Sequence, residues 1–523
     1  MSQLVVSVLV VHDVGVPVEL GVEELRELLA QRDRQVDRRD EQIAALTAAV
    51  TALSETNAEL VARVARLEHL LTRNSGNSSM PPSRDDDPGH KPPAEKQKKP
   101  NPAVQQRKRG KQPGSPGTNL AWTQDPNATE NLFPQGTCDC GADLAGGQDL
   151  GIVDRYQRHD IPEVTVRVTQ FDCHEVACGC GRTHAASRPD GARSGPVGYG
   201  PNLQALAVYL LVVHHLPVQR CVALLAALTG AAPSAGFVHA MLARTAATLG
   251  AVQARIRALI VVSHVVCCDE TPIRVGPAAP KAGKKKADKY LLVAATDLYT
   301  HYLLGGRDLE TFKAFVLKDL AAAGAIVVHD RYVNYDSDHL GALIHQLCCA
   351  HLLRDLTGAA EVYPDAEWPT QVADSLRGLI HHANLARAEN LSAIEKGAAQ
   401  ELITRLRDGV KVGLSETVRH GDRPGERKAR LLLQCLRDRE ADVLRFTTDL
   451  RVPPTSNQAE RDLRPAKIQQ NISGRLTSED RTEDRWRIRG YVSTAIKHGH
   501  AALDVLRDAL TGRPWIPPDP VPV

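Results

Sequence analysis

The sequence predicts a multidomain α+β protein. A mixed α/β core carries a helical insertion, and a coiled coil and a small cysteine module precede it. Three observations carry this prediction. An apolar heptad runs through residues 22–72, two Cys-x-Cys-Gly turns lie within residues 137–186, and short apolar runs ending in acids alternate with amphipathic patterns between 262 and 360. At 523 residues the chain is too long for one ordinary core. Its net charge of +2 says nothing about nucleic acid, so local charge must decide. The N-terminal run "LVVSVLVV" lacks a basic flank and a cleavage site and is too short to span a bilayer. A cytoplasmic protein with no membrane association is expected, with residues 1–21 a poorly ordered extension. The 11 cysteines are clustered, which favours metal ligands or buried thiols over disulfides.

In residues 22–72 the a positions are Leu29, Val36, Ile43, Val50, Asn57, Val64 and Leu71, and the later d positions are Leu46, Leu53, Leu60 and Leu67. β-Branched residues at a with Leu at d favour two parallel strands, and one buried Asn fixes register, so a homodimer or higher assembly is expected. Arg32 and Arg39 at earlier d positions weaken the N-terminal half. Residues 73–130 are rich in Pro, Gly, Ser and Lys/Arg and read as a disordered basic linker. Its clusters, with Lys98, Lys99, Arg107, Lys108 and Arg109, suit DNA phosphates.

Residues 131–190 read as a zinc-ribbon-like module. Cys138 and Cys140 lie in one turn and Cys178 and Cys180 in the other, with the alternating stretch "DIPEVTVRVTQFDC" between them. Four thiolates suit one tetrahedral Zn²⁺, and a module with so little core needs such a staple. Cys173, His174 and His184 are substitute ligands. Residues 191–260 read as helices. The last two have the proportions of a helix-turn-helix offering Ser234, His239 and Arg244 to DNA; a plain α-hairpin fits equally well.

In residues 261–359, "SHVVCCDE", "KYLLVAATD" and "THYLLGGRD" read as strands and "LETFKAFVLKDLAAAG" as one helix. "AIVVHDRY" is a fourth strand, and "HQLCCAHLLRDL" a fifth that turns into a helix. Three antiparallel strands, a helix and further strands fit an RNase H-like mixed sheet. Residues 360–450 are a helical insertion, 451–500 return to the core, and 501–523 form a tail.

Two strands thus end in carboxylates, Asp269 and Asp330, and Glu460 falls in the first turn of a later helix. Glu270 competes with Asp269, and the strand period favours Asp269. Three such acids can hold two divalent ions, and hard oxygen ligands suit Mg²⁺ or Mn²⁺. On a helix Glu460 shares a face with Asn457, Arg464 and Lys467, with Arg461 to one side, so cations beside the acid can grip DNA. Asn457 and Glu460 also fit a variant capping box.

The runs "NSSMPPS", "YGPNLQALAVYLLVVHHLPVQR", "CCDETPIRV", "VVHDRYVNYD", "CCAHLLRDL", "SNQAERDLRPAKIQQNISG" and "RIRGYVSTAIKHGH", with the cysteine module, resemble the transposases of bacterial insertion-sequence family sixty-six over about residues 25–510. The resemblance implies a DDE transposase with an RNase H-like core, whose metal-binding acids are Asp269, Asp330 and Glu460. His351 and Arg354 would be active-site support. It implies binding to the element's terminal inverted repeats, cleavage, and strand transfer into target DNA, with element-encoded accessory proteins as further partners. Met80 stands where the family has Lys, and the family's knuckles are often Cys-x-x-Cys. The residues alone leave open a nuclease that cuts without joining, or a zinc-containing DNA-binding regulator.

Overall fold

The structure is a computed structural model that describes residues 21–72, 120–189, 195–276, 289–417 and 425–519. The N-terminal extension, Met80 and the basic linker residues Lys98, Lys99, Arg107, Lys108 and Arg109 lie outside the described residues.

The heptad segment is one helix of 51 residues, α1 (Val22–Thr72). Every α1 residue whose burial is described is exposed, including Leu29, Val36, Ile43, Leu46, Val50, Leu53, Leu60 and Val64. The cysteine module departs from expectation. The alternating stretch at 160–173 forms no strand and is exposed throughout. It pairs with no strand among the described residues, and the Ile161 N–H turns to the Asp160 carboxylate instead. The module's strands are β1 (Glu175–Ala177) and β2 (Thr183–Ala185), paired antiparallel around the second Cys-x-Cys-Gly turn.

Four helices follow: α2 (Pro201–Val212), α3 (Val218–Thr229), α4 (Ala235–Thr248) and α5 (Gly250–Val261). Gly230 ends α3 at φ 72°, a left-handed cap that glycine adopts without strain. Next come β3 (Val265–Ile273), β4 (Lys289–Ala295) and β5 (Thr300–Gly305). The helix expected over 309–324 is two, α6 (Leu309–Ala314) and α7 (Leu317–Ala323), because Phe315 takes an extended conformation and is buried with Val316. The strands β6 (Ile326–His329) and β7 (Ile344–Leu347) come next. The helical region comprises α8 (Cys349–Val362), α9 (Trp368–Ala388), α10 (Lys396–Glu416), α11 (Glu426–Asp438) and α12 (Glu440–Thr448). Last are α13 (Asn457–Ile472), α14 (Glu479–Lys497) and α15 (Ala502–Leu510). The chain is therefore a mixed α+β protein with a helix-rich C-terminal half. Its main sheet has the strand order β5-β4-β3-β6-β7. Among the described residues no single helix is long and apolar enough to cross a membrane.

The chain divides into two compact units that alternate along it. The first gathers α1, His264–Cys268 and Leu317–Asn457. In it β3 runs parallel to β6, pairing Val265 with Ile326 and Cys267 with Val328, and β6 runs parallel to β7. Trp368, Leu376, Leu379, Leu433 and Phe446 are fully buried among its helices. Each such side chain contributes about 1.5–3 kcal/mol. The second unit takes the described residues of Ala94–Ser263, with Asp269–Val316 and Gln458–Val523. There β4 and β5 pair antiparallel and α14 packs on β5. A Cβ at Gly490 would stand 3.0 Å from the Thr300 carbonyl oxygen, so only glycine admits this approach. The expected C-terminal tail holds α15, whose Val505, Leu506 and Ala509 are buried against α2, α4 and α14.

Candidate functional site

In the second unit, Asp269 lies inside β3 and not at its end. The strand continues to Ile273 with β4 as its other neighbour in the sheet, and just beyond it Leu476 N–H donates to the Arg274 carbonyl (3.0 Å) and Gly276 N–H to the Leu476 carbonyl (2.8 Å). Pairing with β6, however, stops at Cys267. The Asp269 carboxylate accepts the Glu270 N–H at 2.8 Å. Glu270 is committed elsewhere: its side chain is 1 % exposed and accepts Nε and Nη2 of Arg307 at 2.9 and 2.7 Å. A buried acid held by two guanidinium donors is structural, which favours Asp269 as the chemical partner of the pair.

Glu460 is half-buried in the first turn of α13, whose exposed side carries Asn457, Arg461, Arg464 and Ile468. Arg461, expected to one side, is thus on the exposed stripe with Asn457 and Arg464, while Lys467 is half-buried like Glu460. Asn457 is the first helical residue, and the preceding N–H, of Ser456, goes to Cys348 Sγ at 3.3 Å. Pro465 within α13 has no N–H to return to the Arg461 carbonyl.

An interaction unseen in the sequence holds this helix. Asp462 receives Lys497 Nζ at 2.7 Å, Thr300 Oγ1 at 3.1 Å and Gln458 Nε2 at 3.2 Å. The Lys497 and Asp462 side chains are only 12 % and 10 % exposed, and Lys497 also donates to the carbonyls of Thr296 and Tyr299. The Tyr302 hydroxyl donates to the Asp462 carbonyl. No pattern of local spacing announces a pair joining α13 to α14.

In the first unit, Asp330 directly follows β6, as the sequence suggested, and accepts the Tyr332 N–H at 2.8 Å. Beside it His329 is fully buried, stacked on Tyr335 at 4.2 Å between ring centroids, with Nε2 2.9 Å from His345 Nδ1. Burial, and then His345, push its pKa down to about 3, so the ring is neutral. Arg331 and Lys428 both pair with Asp355 of α8, an acid 1 % exposed. This fixes the chain just after Asp330 to α8. His351 and Arg354 are half-buried on the same helix, and His351 hydrogen-bonds the thiol of Cys348 at its N-terminus.

The two cysteine turns are copies in backbone geometry. Cys138 N–H donates to Ala142 O and Gly141 N–H to Cys138 O; Cys178 N–H donates to Arg182 O and Gly181 N–H to Cys178 O. Gly141 and Gly181 have φ of 87° and 85°. Backbone hydrogen bonds from Cys140 and Cys180 lower the pKa of Cys138 and Cys178, which favours the thiolate a metal needs. All four are exposed free thiols, as is Cys173. Among the described residues no three His, Cys, Asp or Glu side chains converge as a metal-holding group. Neither the three acids nor the four thiols are therefore gathered as a closed site. In the helical pair α3–α4, Ser234 caps α4 by accepting the Phe237 N–H, and Arg244 lies over the Phe237 ring at 5.0 Å; His239 is exposed.

The family described as "Transposase IS66 family" matches residues 197–483, which include every proposed acid. A family of unknown function, DUF6444, matches residues 21–121, across α1 and the basic linker. No curated protein matches the chain. Among solved structures, the crystal structure of the Mos1 strand transfer complex is similar over 49 % of this chain and 82 % of that one, at 11 % identity and a TM-score of 0.11.

Proposed function

Because the chain belongs to the IS66 family of transposases, we propose that it is a DDE transposase acting in the cytoplasm. It would bind the terminal inverted repeats of an insertion sequence, cleave to free a 3′-hydroxyl, and join that end to target DNA. Asp269, Asp330 and Glu460 are the acids of this reading, and Mg²⁺ or Mn²⁺ the ions their hard oxygens suit. Two such ions would activate the attacking oxygen and stabilise the leaving one. The residues' own part is to supply negative charge from two strands and a helix.

The observation that carries this reading is the family match over residues 197–483, which contain Asp269, Asp330 and Glu460. The strand order β5-β4-β3-β6-β7, with β4–β5 antiparallel and β3–β6–β7 parallel, supports an RNase H-like core. Exposed Asn457, Arg461 and Arg464, with Lys467 nearby, would hold DNA beside Glu460. His351 and Arg354 would support the site from α8. The basic linker would add sequence-independent phosphate contacts. Two chains would pair through the exposed stripe of α1, where Leu46 and Leu53 are 66 % and 69 % exposed. The matched turns at Cys138/Cys140 and Cys178/Cys180 would close on Zn²⁺. Accessory proteins of the element are further partners.

The test is cleavage and joining of labelled element-end DNA with Mg²⁺, comparing the natural chain with Glu460→Gln. Joining by the natural chain, and binding without cleavage by the variant, is the expected result. Cleavage without joining would make the protein a nuclease. Normal cleavage by the variant would remove Glu460 from the site.

A further inference from the structure

Cys348 sits where three parts of the first unit meet, contacting one through its backbone N–H and two through its sulfur. Its N–H donates to the His329 carbonyl at 2.8 Å, next to Asp330. Its Sγ accepts the Ser456 N–H at 3.3 Å, in the segment that leads into α13. The same sulfur is hydrogen-bonded by His351, one turn along α8. The following residue repeats the tie, with Cys349 N–H donating to the Pro454 carbonyl at 2.9 Å. Cys348 and Ser456 are each 1 % exposed, so water cannot replace a lost partner.

We propose that Cys348 is a positioning residue: through its sulfur it fixes Ser456, the residue that leads into α13, to the end of β6 that bears Asp330. The proposal rests on the transposase reading for what is being positioned, and on hydrogen bonds alone for the fixing. Burial alone would push the Cys348 thiol up, yet the hydrogen bonds and charge of His351 and the Ser456 contacts outweigh it and bring the pKa down to about 7. Its neighbour Cys349, whose thiol donates to the Leu347 and Val443 carbonyls, is raised well above the ordinary range by burial and then by Cys348. Serine keeps an acceptor at this place and alanine does not.

The experiment compares the full chain with Cys348→Ala and Cys348→Ser by amide hydrogen exchange and by single-turnover cleavage at saturating element-end DNA. Alanine is expected to speed exchange in the peptide covering 454–460 by on the order of tenfold, the scale of one buried hydrogen bond. Exchange in α9 should stay unchanged, and serine should restore most of the protection. The cleavage rate should follow the same order while DNA affinity stays constant. Unchanged exchange at 454–460 in the alanine variant overturns the proposal, as does a serine variant no better than alanine. If the natural chain fails to cleave while the exchange pattern holds, the fixing role stands and the transposase reading fails.

Discussion

Replacing Lys497 by Met tests the buried pair that holds α13. The side chains are of similar length, so packing is nearly conserved and charge is lost. At 2.7 Å and an effective dielectric of about 20, the Lys497–Asp462 attraction is about 6 kcal/mol. Desolvation of both groups offsets much of it. What the substitution exposes is different: Asp462 becomes a buried carboxylate with only Thr300 and Gln458 left to it, and the carbonyls of Thr296 and Tyr299 lose a donor. Breaking one partner of a buried pair costs about 3–5 kcal/mol, and the two remaining neutral donors place the expectation near 3–4 kcal/mol. Urea unfolding followed by tryptophan fluorescence reads this, since Trp486 is buried in the same unit. Adding Asp462→Asn should recover about half of the loss, because it removes the stranded charge. A loss below about 1 kcal/mol for Lys497→Met, or a double variant no better than the single one, would refute the reasoning.

Stability should fall between pH 6.5 and about 3 through His329. Its folded pKa is depressed below the unfolded 6.5, so the unfolded chain binds more protons in that window; the contribution is complete above pH 6.5 and is lost as pH falls. At pH 5 the loss is about 2 kcal/mol, and His329→Gln should flatten the urea midpoint against pH over that range. Gly413→Ala should destabilise by about 1–3 kcal/mol despite alanine's better helix propensity. The new methyl would stand 2.8 Å from Trp368 and 2.9 Å from Leu433, both buried; thermal unfolding checks it. The full chain prepared with zinc present should retain Zn²⁺ through dialysis, and Cys178→Ser should lose it, as read by elemental analysis.

What the sequence made legible was local. The period of α1, the acid at the end of β6 and the two cysteine turns all depend on residues near one another in the chain. The misreadings come from long-range partners. β3 runs past Asp269 to Ile273 with β4 as its other neighbour in the sheet, and nothing near Asp269 encodes that. The stretch 160–173 has the alternation of a strand but pairs with no strand among the described residues. The break between α6 and α7 falls at Phe315, whose extended backbone ends α6; the buried Phe312, Phe315, Val316 and Leu320 have the spacing of one continuous helix, so the apolar pattern does not reveal it. The acids of the candidate site could be picked from motif and spacing. The contacts around α13, Lys497 with Asp462 and Ser456 with Cys348, could not, since each joins residues distant in the chain.

The alternation of the two units has a consequence for dissecting the gene. No uninterrupted fragment contains either unit intact without also carrying pieces of the other, because β3 itself passes from one to the other at Cys268–Asp269. A stop codon before α14 leaves β5 without the helix that packs on it, however complete the upstream reading frame. Ribosomes must therefore finish nearly the whole message before the second unit can close. Truncated copies of such an element would yield polypeptides with unsealed cores, which cellular proteases remove.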